Sequence, residues 1–169
     1  MKLLLVPLRF LVSPIFIAAV NTLILFPMVL SVIDLAKSVR AHEAPHEPVM
    51  VASTVALIMI GWGVALEERH VVRRLLGIHG RADEVRQAYL DELCHSYGVA
   101  QLVCGLFAEI AVAMISLPDR IINTAGLEHI LLTVSVVLIA VAAGIQIRHV
   151  LILLFGKWRR ASWTGDAAP

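Results

Sequence analysis

Glu67 with His70, and Glu92 with His95, share the spacing Glu-x-x-His. Residues three apart on a helix point the same way, so each pair could offer a carboxylate and an imidazole to one metal ion. His149 falls at the same level by residue count, which makes Glu67, His70, Glu92, His95 and His149 a candidate metal or haem set. Paired Glu-x-x-His segments also occur in carboxylate-bridged di-iron bundles, but there two further helices each contribute a glutamate. Here only Glu68 and Asp91 could stand in, and both belong to the helices already used. The plainer reading is a set of solvated or paired charges, such as Glu67 with Arg74.

A second group reads His42-Glu43-Ala44-Pro45-His46, formally the His-Glu-x-x-His of zinc proteases. That chemistry needs both histidines on one helical face. Pro45 and Pro48 argue against a regular helix there, leaving His42 and His46, with His129 and the neighbouring Glu128, as a weak metal-capturing or simply titrating cluster. Cys94 and Cys104 stand ten positions apart, about 15 Å along a helix, too far to bridge. They form no Cys-x-x-Cys pair, and no phosphate-binding loop or Gly-x-Ser-x-Gly occurs. The chain reads as non-enzymatic and without a cofactor, a metal ion or haem being the alternative.

The elements that would position these groups follow from composition. Of 169 residues 59% are hydrophobic and 16% charged, well to the apolar side of a soluble domain. Nothing in the charge balance suggests nucleic acid as a partner. Crossing about 30 Å of hydrocarbon takes about 20 apolar residues. Four segments qualify, at about 10–33, 49–66, 97–117 and 130–147. The first is too long for a cleavable signal core and reads as a retained anchor. Transmembrane strands are excluded, because the runs do not alternate in polarity. The expected fold is therefore an all-α integral membrane protein: one four-helix transmembrane domain over 1–156, with a tail at 157–169 whose Trp158, Trp163 and basic residues suit a membrane interface.

Eleven basic residues fall at the N-terminus, between spans two and three, and at the C-terminus, against Lys37, Arg40 and Arg120 on the other side. The positive-inside rule then puts both termini in the cytoplasm of a bacterial-type inner membrane. Residues 67–96 form a charged cytoplasmic helical hairpin. Its second arm either lies along the membrane surface or extends span three.

Glu109 is the charge that most needs a reason, since a carboxylate deep in a span is costly and turns toward protein or water. Counting from the cytoplasmic ends sets Asn21, Thr54 and Ser135 at its level. Gln101, Gly105, Ala113 and Ser116 share its helical face. With no cation opposite, the Glu109 carboxyl is expected to be protonated and to donate to a neighbour such as Asn21. This polar layer of Glu109, Asn21, Thr54, Ser135 and Gln101 reads first as interhelical glue, with proton or metal-ion transport through Glu109 as the rival. Gly61-Trp62-Gly63, and Ala140 with Gly144, are spaced for close helix approach. Association with the bilayer and with other membrane subunits, or with further copies of the chain, is the expected mode of action.

Overall fold

The computed structural model describes residues 13–41, 46–75, 84–117 and 126–155. Within them the chain is helical: α1 Pro14–Ala41, α2 His46–Glu67, α3 Arg69–Leu75, α4 Glu84–Ser116 and α5 Glu128–Phe155. All but α3 are long and apolar enough to cross a membrane. The tail at 157–169 lies outside the described residues.

Helix ends follow local chemistry. Ser13 caps α1, its hydroxyl accepting from the Phe16 amide at 3.2 Å, the usual role of a serine at a helix start. Glu68 turns the chain between α2 and α3, yet helical bonds run through it, from Glu68 N to the Val64 carbonyl and from Val72 N to the Glu68 carbonyl. The second arm of the expected hairpin is an extension of span three, because Glu84–Ser116 is one helix.

The most extensive contact is between α2 and α4, followed by α4 with α5 and α1 with α5; α1 touches α2 only thinly. Glycine explains the first of these. A β-carbon on Gly98 would lie 2.7 Å from the Gly63 carbonyl oxygen and 2.8 Å from the Glu67 nitrogen, and one on Gly105 would lie 2.9 Å from the Ala56 oxygen. Backbones this close admit only hydrogen as the side chain, the small-residue packing common between helices in lipid.

Two apolar clusters form along the bundle axis. One, toward the end where Arg69 and Asp91 stand, gathers Ile17, Ala18, Leu66, Leu90, Cys94 and Leu153. The larger one, toward the Glu128 end, includes Met28, Leu35, Met59, Val112, Leu132 and Ile139. Outward faces carry Leu23, Phe26, Leu57, Phe107 and Val137, all exposed, the distribution expected where the surroundings are as apolar as the core.

Candidate functional site

Between the two clusters lies a layer of buried polar side chains from every long helix. Asn21 of α1, Gln101 of α4, and Gln146 and His149 of α5 are each at most 3% exposed, and Trp62 of α2 reaches in beside them. Trp62 Nε1 donates to Asn21 Oδ1 at 2.6 Å. An indole N–H can only donate, so this bond fixes which end of the Asn21 amide is oxygen. Asn21 Nδ2 therefore donates to His149 Nδ1, 3.2 Å away. That leaves the His149 proton on Nε2, which faces Cys94 Sγ at 3.9 Å. Tyr97 stacks on the imidazole, ring centres 4.5 Å apart and nearly parallel. Gln101 Nε2 donates to Gln146 Oε1, and Gln146 Nε2 in turn donates to the Asn21 carbonyl at 3.0 Å.

Cys94, His149 and Asn21 thus stand in the order of a thiol, an imidazole and an orienting amide. The polarity is wrong for nucleophilic catalysis, which needs a ring-nitrogen lone pair facing the thiol. Here the lone pair faces Asn21 and the N–H faces sulfur. The arrangement can tie four helices together; it cannot deprotonate Cys94.

Glu109 belongs to a separate layer, eight residues and about 12 Å along α4 from Gln101 toward the Glu128 end. Its Oε1 accepts from Ser53 Oγ at 3.0 Å, while Oε2 is buried without a hydrogen-bond partner among the described residues. Ser135 Oγ bonds the Ala108 carbonyl at 3.1 Å and so ties α5 to α4 at this level.

The single polar layer expected around Glu109 is therefore two layers. Asn21 and Gln101 sit in the one nearer Arg69, and Glu109 and Ser135 in the other. Asn21 does not meet Glu109, because α1 starts at the Ser13 cap, only two turns before Asn21. Thr54 is at the right height on the wrong face: it is exposed, its hydroxyl bonds the Met50 carbonyl at 2.9 Å, and its neighbour Ser53 meets Glu109 instead. Gly105 is buried with Gln101, whereas Ala113 and Ser116 are exposed.

The metal candidates are dispersed. His149 is buried in the bundle rather than at its rim, and His70, Glu92 and His95 are exposed, with His70 Nδ1 3.3 Å from the Glu67 carbonyl. Among the described residues no three His, Cys, Asp or Glu side chains converge on a point that could hold a metal ion. His42 and the His46 side chain lie outside the described residues. His129 is half-buried at the start of α5, its carbonyl accepting from Thr133 at 2.6 Å.

No family model, no curated protein and no solved structure matches this chain. Its chemistry is read from these two layers and the ion cluster beside them.

In that cluster Asp91 of α4 binds both arginines of one face of α3. Arg69 pairs with Oδ1 and also reaches Gln87 Oε1 at 3.1 Å; Arg73 holds Oδ2 through Nε at 3.0 Å and through its terminal nitrogen at 2.6 Å. The acid seen to pair here is Asp91. Removing one member of a fully buried pair costs about 3–5 kcal/mol; Arg73 is 22% exposed, so Asp91→Asn is expected to cost about 2 kcal/mol. The loss falls on α3, and limited trypsin digestion should cut at Arg73 and Arg74 several-fold faster in the variant than in the parent.

Proposed function

We propose that this chain is a small multi-pass membrane protein that acts by lateral association, as a homo-oligomer or as a subunit of a larger membrane complex. The observation that carries this reading is how its glycines are used. Gly63, Gly98 and Gly105 are consumed by the α2–α4 contact. A β-carbon on Gly144 or Gly61 would meet nothing within 4 Å, and exposed Ala140 and Ala65 stand one turn from each. Two outward faces thus keep the small-residue spacing that lets a further helix approach closely. The buried polar groups support the same reading, because they bond helix to helix.

The basic residues favour an orientation with the Arg69 end, and with it both termini, in the cytoplasm of a bacterial-type inner membrane. The test is sedimentation in mild detergent with co-purification from native membranes. The parent should migrate as an oligomer or with a stoichiometric partner, and Gly144→Leu or Gly61→Leu should weaken that assembly by about tenfold or more, equivalent to about 1.4 kcal/mol. A parent that is monomeric and partner-free would overturn the proposal.

A second reading, proton or cation movement through Glu109, is favoured by one observation: its buried Oε2 has no partner among the described residues. An intramembrane carboxylate so placed is a candidate ion site.

A further inference from the structure

Beyond the Gly63, Gly98 and Gly105 contact, α2 and α4 border a cleft of about 660 Å³ at the Glu128 end of the bundle. That volume falls within the range of small-molecule sites. Val49, Met50 and Ile115 form its apolar walls, and its polar lining is Ser53, Thr54, Ser116 and Glu128.

The direction of the hydroxyl bonds decides what this lining can recognise. Each hydroxyl has one proton to donate. Ser53 gives its proton to Glu109 Oε1 at 3.0 Å, Thr54 to the Met50 carbonyl at 2.9 Å, and Ser116 to the Val112 carbonyl at 3.1 Å. All three are committed to groups other than a ligand, so among the described residues the cleft's side chains offer acceptors: three hydroxyl oxygens and the Glu128 carboxylate. Behind the Ser53 floor, the Glu109 carboxyl has no cation paired with it among the described residues.

We propose that this cleft binds a primary ammonium group carrying an apolar substituent. The N–H groups donate to the hydroxyl oxygens and to Glu128, and the substituent lies against Val49, Met50 and Ile115, with the Glu109 carboxyl behind Ser53. An anion finds no free side-chain donor among the described residues of this lining. An uncharged apolar molecule would cover four acceptors without satisfying them, and a quaternary ammonium has no N–H to give. The proposal is independent of lateral association and goes beyond the second reading, with which it shares only the Glu109 carboxyl.

The experiment titrates the full chain, in nanodiscs of phosphatidylcholine alone, with hexylammonium, hexyltrimethylammonium and hexanol by calorimetry, subtracting protein-free nanodiscs. Hexylammonium should bind at least about tenfold more tightly than the other two, the discrimination expected of one charge-assisted hydrogen bond. Glu128→Gln and Thr54→Val, at partly buried and exposed positions, should each weaken it several-fold without unfolding the bundle, as should Glu109→Gln where it folds.

Repeating the titration with phosphatidylethanolamine in the nanodisc separates the sources of the amine. A several-fold loss of apparent hexylammonium affinity assigns the site to the lipid headgroup, and unchanged affinity assigns it to a free amine; both support the site. Equal binding of the three probes, or no change in Glu128→Gln and Thr54→Val, overturns it. Glu109-dependent proton flux in liposomes without hexylammonium binding overturns the ligand while leaving the second reading intact. Binding without flux sustains the ligand and removes transport.

Discussion

Replacing Gly98 by alanine is expected to lower the stability of the bundle by about 3 kcal/mol, the upper part of the range for overpacking a tightly packed site. The new methyl would stand 2.7 Å from the Gly63 carbonyl oxygen, 2.8 Å from the Glu67 nitrogen and 3.0 Å from Leu66 Cβ. Two of these are backbone atoms, and none is the far end of a flexible side chain that could swing away. Relief requires α2 and α4 to separate, which also loosens the Gly105 contact and the Ser53–Glu109 bond further along the same pair. The control is Gly144→Ala, where the methyl meets nothing within 4 Å; there the lost backbone freedom of glycine makes the change neutral or stabilising by up to about 1 kcal/mol. Unfolding in graded SDS, followed by circular dichroism, reads both. Equal midpoints for Gly98→Ala and the parent would show that the two helices do not meet through glycine.

Asn21→Ala should produce the second large effect, about 3 kcal/mol. It leaves the Trp62 indole N–H and His149 Nδ1 without their shared partner in a buried site, and each orphaned group costs about 1–3 kcal/mol. Interhelical hydrogen bonds in lipid measure nearer the low end of that range, so the sum is kept modest. Gln146 is less affected, since it retains the Asn21 backbone carbonyl at 3.0 Å. Coupling makes the assignment specific: in a Trp62→Phe background, which removes one orphan in advance, Asn21→Ala should cost about 1 kcal/mol less. Nitrogen NMR of His149 should report a neutral ring protonated at Nε2 in the parent. Strict additivity of the two substitutions, or a proton on Nδ1, would refute the hydrogen-bond order from Trp62 to His149.

The four spans and the excess of helix were legible because apolar run length depends little on neighbours. Their boundaries shifted where a local signal ended the helix rather than hydropathy: Ser13 caps α1, and α4 runs from Glu84 through charged residues that hydropathy alone would exclude. The polar groups were legible as types but not as partners. Counting residues from a membrane edge gives height, while a neighbour one position away points about 100° around the helix. That is why Ser53 rather than Thr54 meets Glu109. Trp62 and Gln146 went unassigned to the layer, although Ser135, Ile139, Ala142, Gln146 and His149 fall at the three- and four-residue steps of one face, and that spacing could have found them. Gly98 had no signal of its own, because a lone glycine in a helix reveals its role only when the opposing backbone is known.

The thin contact between α1 and α2 also bears on biogenesis. Asn21 finds one partner 41 residues later, in Trp62, and the others 125 and 128 residues later, in Gln146 and His149, so among the described helices α1 docks mainly on α5. Without α5, α1 would keep only its thin contact with α2 and the Trp62 bond, whereas α2 and α4 meet each other through glycine. Only α5 adds the extensive contact that holds α1 to the rest, so a chain still without α5 leaves the Asn21 amide nitrogen and the inner face of α1 uncovered.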